Sequence, residues 1–182
     1  MTTALFLAMN PAYTVAPATA ADVPALVQLI NAAYRSEPDR AGWTGEGHLL
    51  SGPRTDAAAL LELLQTPGAT ILTYRNAVAQ LLGCVFVQPQ QDTLYLGLLA
   101  VQPTAQTHGI GKQLLQAAEA YARQHACRSI TITVLSARPE LVAWYERHGF
   151  RGTGNAHPFT DDTRFGVPSQ TLTLLEMQKP LP

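Results

Sequence analysis

The sequence predicts an α/β fold built on a mixed sheet, its elements in the order β, α, α, β, β, β, α, β, α, β, β. Three observations predict it. The apolar runs 70–74, 81–88 and 93–101 are separated only by "RNAVAQ" and "PQQD", which suits an antiparallel meander. Apolar residues then keep helical spacing from Ile110 to Ala122, and "SITITVL" (129–135) alternates Ile and Val against Thr as a half-buried strand does. At 182 residues, 47% hydrophobic and 14% charged, the chain can fill one substantial core and is short for two.

The opening "MTTALFLAM" lacks the basic start, long apolar run and small-residue cleavage site of a signal peptide. We read 1–11 as a disordered segment, with Met9 as an alternative initiator, and 12–182 as a single domain. "AYTVAPAT" from Ala12 gives a short first strand that stops at Pro17. Thr19 and Asp22 form a T-x-x-D capping box, followed at helical spacing by Val23, Leu26, Val27, Ile30 and Tyr34, with Pro24 in the first turn. Residues 35–54 have no sustained period and read as a long functional loop in which Trp43 argues against disorder. Thr55 can cap a second helix over 56–65 that stops at "TPGA".

After the meander, Ile110, Leu114, Leu115, Ala118 and Ala122 share one helical face, opposite Lys112, Gln113, Gln116 and Arg123. "PELVAWYERH" (139–148) is a short helix with Pro139 near its start and Gly149 past its end. "FRGTG" (150–154) and "QTLTLLEMQ" (170–178) read as final strands around the loop 155–169.

Twelve basic and thirteen acidic residues give a formal charge of −1, so no global field attracts nucleic acid, and any phosphate site must be local. Cys84 and Cys127 lie far apart in apolar stretches, without metal-ligand spacing, and read as buried free thiols with no metal site. No run reaches the ~18 apolar residues of a membrane span. A cytoplasmic protein is the expectation.

"QTHGIGK" (106–112) places two glycines at the mouth of the 110–123 helix. A strand feeding such a turn leaves backbone N–H groups unpaired at the positive end of the helix dipole, where a diphosphate fits. The spacing excludes a P-loop, which needs G-x-x-x-x-G-K-[ST], and a dinucleotide fingerprint, which needs a third glycine near the first strand. A serine hydrolase finds no G-x-S-x-G.

"LLAVQPTAQTHGIGKQLL" resembles the acyl-coenzyme A signature of the GNAT N-acetyltransferase superfamily, Q/R-x-x-G-x-G/A after an apolar-x-Val-x-Pro phrase, with Gln106, Gly109 and Gly111 in the pattern. "LVAWYERHGF" resembles the family's second signature, an aromatic-Tyr-x-x-x-Gly-Phe phrase. The element order matches too, so the resemblance implies a GNAT-like, mostly antiparallel central sheet flanked by helices. It further implies that the loop N–H groups of Gln106, Thr107, His108, Gly109, Ile110, Gly111 and Lys112 bind the pyrophosphate of acetyl-coenzyme A. Leu99, Ala100 and Val101 would pair with its pantetheine arm, an N–H near Leu99 would face the thioester oxygen, and Tyr145 would protonate the departing thiolate.

Two positions depart from the pattern. Arg138 stands where many relatives carry an asparagine that bonds the coenzyme, and an arginine could reach a phosphate or the acceptor. Thr107 and His108 replace a frequent Gly-Arg or Gly-Lys pair. Many relatives also carry a glutamate base on the strand that here reads "TLYLGLLAV", which has none. Glu46, His48, Asp161 and Asp162 are the remaining candidates. The acceptor, a primary amine of a small molecule or peptide, would lie between loops 35–54 and 152–169, near Trp43, Glu46, His48 and Phe159, with Arg54, His157 and Arg164 also in those loops. The alternative is a catalytically silent module that binds an acyl-coenzyme A. Open sheet edges leave a homodimer possible.

Overall fold

The computed structural model describes residues 8–10, 12–35, 45–159 and 166–182, with side chains from 12 onward. Its strands are β1 (Ala8–Asn10), β2 (Tyr13–Pro17), β3 (Leu50–Ser51), β4 (Thr70–Asn76), β5 (Leu81–Gln90), β6 (Thr93–Val101), β7 (Ser129–Leu135), β8 (Arg151–Pro158), β9 (Val167–Pro168) and β10 (Thr173–Pro180). Its helices are α1 (Val23–Arg35), α2 (Ala57–Gln65), α3 (Ile110–Gln124) and α4 (Pro139–Arg147). Eight strands form one sheet in the order β1-β2-β4-β5-β6-β7-β10-β8, antiparallel throughout except between β6 and β7. The mixed, mostly antiparallel sheet and four flanking helices are the architecture the sequence predicted.

Both faces of the sheet are covered, which is why β5 is buried without a break from Gly83 to Val87. Val85 and Val87 pack with Leu114, Ala118 and Phe150 on one face; Cys84 and Phe86 pack with Leu26, Ile30 and Leu60 on the other. At the start of α1 the Asp22 carboxylate accepts from the Thr19 N–H at 2.7 Å and from its hydroxyl at 2.9 Å, closing the capping box.

Several details differ from the sequence reading. Residues 8–10, placed within the disordered segment, form a strand at the edge of the sheet, registering Ala8 with Val15. Asp56, not Thr55, caps α2, its carboxylate accepting from the Ala59 N–H at 2.8 Å. Thr55 is buried and held by Asn31, whose side chain accepts its N–H at 3.2 Å and donates to its carbonyl at 2.9 Å. The strand expected over 150–154 runs on to Pro158, because β10 supplies backbone partners as far as that residue. Loops 35–54 and 155–169 join through the short pair β3·β9, which registers Leu50 with Pro168.

Two irregularities in β6 create the site. First, β6 runs parallel to β7 only over Thr93–Tyr95, so the two strands part beyond Tyr95. The closed end is pinned by hydroxyls, with Thr93 Oγ1 3.0 Å from both Thr131 Oγ1 and Ser129 Oγ. Second, β6 carries a bulge: Cys84 registers with Ala100 but Phe86 with Gly97, and Leu98 takes a positive φ of 47°. A bulge bends the strand and re-aims its peptide groups, here beside the gap.

Candidate active site

The gap between β6 and β7 opens into two cavities. One, of about 520 Å³, runs from the mouth of α3 to α4. The other, of about 630 Å³, lies between α2, the parted strands and the β3·β9 side. Tyr34, Leu99, Leu141 and Tyr145 line both, so this is where contents of the two cavities could meet.

At the mouth of α3, Gly109 is the N-cap with φ 76°, a left-handed conformation that side chains with a Cβ rarely adopt. The first intrahelical acceptor is the Gly109 carbonyl, 3.1 Å from the Gln113 N, so the N–H groups of Ile110, Gly111 and Lys112 precede the helical ladder. Gly111 lies under Trp144: a Cβ there would come within 3.3 Å of the indole. Gln106 is turned inward, its amide donating to the Val101 carbonyl at 3.2 Å, which ties the turn to the end of β6.

Of the residues expected to hold the coenzyme, Leu99, Val101, Gln106, Thr107, Gly109, Ile110, Gly111 and Lys112 all line the first cavity. Three are placed otherwise. The Ala100 side chain is fully buried in the cluster under α1, leaving only its backbone on the strand. His108 is exposed, with Nδ1 3.0 Å from the Gln106 carbonyl oxygen and 3.2 Å from that of Ala105, and lies outside the cavity lining. Arg138 is the clearest correction. It is 2% exposed and lines neither cavity; its guanidinium pairs with Glu140 and lies 3.9 Å from Glu46 Oε1. Arg138 is the N-cap of α4, and its side chain turns toward Glu46, a direction that residue spacing does not reveal.

On the acceptor side, Glu46 and Phe159 line the second cavity, together with Arg54. Glu46 is 7% exposed; its Oε2 lies 3.2 Å from the Arg35 guanidinium, and its N–H donates to the Tyr34 carbonyl at 2.7 Å. His48 is exposed outside the lining and contributes its carbonyl to the Ser169 hydroxyl at 3.1 Å. His157 is exposed on the edge strand β8. Trp43, Asp161, Asp162 and Arg164 lie outside the described residues.

Tyr34 is the residue sequence reasoning missed. Its helical spacing marked it only as core, and the one available signal was its position at the end of the apolar face of α1, next to the long loop. Its hydroxyl donates to the Leu99 carbonyl at 2.9 Å, and the Arg54 guanidinium sits 5.2 Å from its ring centroid. Burial pushes the Tyr34 phenol above its ordinary range, the charge of Arg54 opposes this, and Tyr145 and Glu46 add to it. The Tyr145 phenol is likewise pushed up, first by burial and then by Tyr95 and the Glu46 charge. Both phenols therefore stay protonated, as donors, through the physiological pH range.

A strand parted beside a bulge, a glycine turn opening a helix and a buried tyrosine thus meet at one gap in the sheet. The model of the Acetyltransferase (GNAT) family matches residues 26–150, and the chain belongs to that family. A ribosomal-protein-alanine N-acetyltransferase from Brucella melitensis superposes with a TM-score of 0.67 at 24% identity, over 92% of this chain and 99% of that one. An N-acetyltransferase from Staphylococcus aureus Mu50 gives a TM-score of 0.68 at 19% identity, over 93% and 99% of the two chains. The yncA protein of Salmonella typhimurium, solved with acetyl-CoA, gives 0.64 at 22% identity, over 94% and 95%. At these identities the likeness shows the fold. Among the described residues no helix is long and apolar enough to cross a membrane.

Proposed function

We propose that the protein is an N-acyltransferase that moves the acetyl group of acetyl-CoA to a primary amine of a small molecule or peptide, by direct attack in a ternary complex. The observation that carries this reading is the junction of the two cavities at Tyr34, Leu99, Leu141 and Tyr145. The residues present suit the coenzyme: an open helix mouth without side chains at Gly109 and Gly111, and a cavity continuous with the bulged strand. Acetyl-CoA supplies an activated acyl thioester and a thiolate leaving group.

In this reading the N–H groups of Ile110, Gly111 and Lys112 hold the pyrophosphate at the positive end of α3. The backbone of Leu99 to Val101 pairs with the pantetheine amides, and the Leu99 N–H stabilises the oxygen that gains charge as the C–N bond forms. Tyr34 fixes the Leu99 peptide through its carbonyl. An acceptor ammonium, with a pKa near 10, must lose a proton before it attacks. Three described carboxylates line the acceptor cavity: Asp56 is occupied capping α2, Glu62 is exposed on α2, and Glu46 is buried close enough for both phenols to feel its charge. Glu46 is thus our assignment for the group that receives the proton.

Tyr145 donates a hydrogen bond to the sulfur as the C–S bond breaks. Its raised pKa exceeds the ~8.5 of a thiol, which opposes complete transfer of the proton and limits the gain. Tyr145→Phe should lower kcat about 10- to 100-fold, at or below the lower bound of the 10²–10⁴ that a positioned acid contributes, and leave the affinity for acetyl-CoA unchanged. A silent acyl-CoA-binding module, favoured by the missing carboxylate on β6, predicts no transfer in either protein. The first experiment is calorimetric titration with acetyl-CoA, with dephospho-coenzyme A and ATP as competitors, followed by an amine screen. No binding to the wild type would withdraw the reading.

A further inference from the structure

The ionic cluster behind the acceptor cavity is not explained by binding of the coenzyme. Glu46 sits where three elements converge: the end of α1 through Arg35, the entrance to α4 through Arg138, and its own loop. Arg35 reaches Oε2 at 3.2 Å and Arg138 lies 3.9 Å from Oε1, so each carboxylate oxygen faces a different arginine. Neither arginine is loosely held. Arg35 Nε donates to the Gly52 carbonyl at 2.9 Å, and the Arg138 guanidinium is braced on its far side by Glu140. The backbone of Arg138 is fixed as well, its N–H donating to the Leu135 carbonyl at 3.0 Å while its carbonyl accepts from Leu141 and Val142 at the start of α4. Arg138 is also 2% exposed, so its charge is held almost wholly out of water. Burying a guanidinium is costly unless it is paired, and its planar fork can face two carboxylates at once, as it does here.

We propose that Arg138 is a positioning residue that acts through Glu46, orienting the carboxylate toward the acceptor amine. The inference rests on the reading that Glu46 receives the acceptor proton. Leu141 and Tyr145, which line both cavities, lie on the helix that Arg138 opens, so the same residue sets the carboxylate and the donor phenol relative to each other. The protons balance: the ammonium gives one proton to Glu46, which passes it to solvent before the next turnover, and the nitrogen loses its second proton as the C–S bond breaks, an equivalent that the departing thiolate, hydrogen-bonded by Tyr145, takes up to leave as thiol.

The test is a double-mutant cycle between Arg138→Gln and Glu46→Gln, with thiol release from acetyl-CoA followed for 2-phenylethylamine, spermidine and the dipeptide Ala-Phe. In the wild-type background Arg138→Gln should lower kcat/KM for the acceptor about 10- to 100-fold, a part of the 10²–10⁴ that a positioned base is worth, with KM for acetyl-CoA unchanged. In the Glu46→Gln background it should cost less than about twofold, because the group it positions is gone. Arg138→Lys, which keeps a charge but cannot face Glu46 and Glu140 at once, should recover part of the loss, and it stands in if the glutamine variant does not fold. Equal losses in both backgrounds would mean a structural role and overturn the proposal while leaving Glu46 as the base. A wild-type rate in Glu46→Gln, or no turnover of any of the three amines by the wild type, would overturn the underlying reading and the role of Arg138 with it.

Discussion

Replacing Gly109 and Gly111 separately by alanine should destabilise the fold only at Gly109 and weaken binding at both. Gly109 holds φ at 76°, and a Cβ added there would meet nothing within 4 Å, so alanine meets strain but no clash. A left-handed non-glycine residue costs about 1–2 kcal/mol, of which about 0.5–1 is recovered because alanine orders more cheaply than glycine. The net loss of about 1 kcal/mol lowers the Tm by about 2–4 °C for a domain of this size. Gly111 is helical, so alanine there gains up to about 1 kcal/mol of propensity, partly offset by the 3.3 Å approach to Trp144. Its Tm should be level or higher. Each change disturbs N–H groups at the mouth of α3, and losing one hydrogen bond to a charged phosphate, worth about 1.5–3 kcal/mol, weakens acetyl-CoA about 10- to 100-fold. Differential scanning fluorimetry and calorimetry read the two quantities. Gly109→Asn, which tolerates the left-handed region, should restore the Tm. Affinities within twofold of wild type in both alanine variants would refute the phosphate reading of this turn, even with the Tm values as expected.

Two further predictions concern titration. Burial pushes the Cys84 thiol up to about 12, so at pH 8 only about one molecule in ten thousand carries the thiolate; in a Cys127→Ser background the native protein should resist thiol reagents at that pH and react once unfolded, and fast native labelling would contradict the packing of β5 under α1. Burial works to raise the Glu140 carboxyl, but the hydrogen bond and charge of Arg138 outweigh it and hold the group below its ordinary 4.5. A depressed carboxyl stabilises the fold above its unfolded pKa and loses that contribution as pH falls through the folded value. Glu140→Gln should therefore be less stable than wild type to urea at pH 7, with the difference shrinking as pH falls below 4.5; a difference that does not change with pH would count against the pairing.

Much of the fold was legible because it rests on local physics. The period of 3.6 from Ile110 to Ala122, the alternation in 129–135 and the Thr19–Asp22 box each arise within a single element, and each element formed where its pattern lay. One wall of the cavity at the mouth of α3 was legible for the same reason: the glycine turn and the helix it opens are contiguous, so Gly109, Gly111 and Lys112 fall together on it without long-range information. Where the reading slipped, a distant partner had intervened. Thr55 lost the capping role to Asp56 because Asn31, on another helix, claims its backbone.

The acceptor side depended almost wholly on the tertiary structure. That Arg138 stays out of the cavity at the mouth of α3 and lies near Glu46, 92 residues before it by 138 − 46, follows from how α1, α4 and the loop pack together, and nothing in either neighbourhood encodes it. The same holds for Tyr34 against Leu99, which required a bulge in β6 to present the carbonyl. Sequence alone determined the class of the fold, the place of the glycine turn and the candidacy of Tyr145, since periodicity, glycine and spacing act over a few residues. Only the folded chain decided which charges meet, because buried ion pairs and parted strands are set by contacts between elements far apart in sequence, and each is worth its energy only once water has been excluded around it.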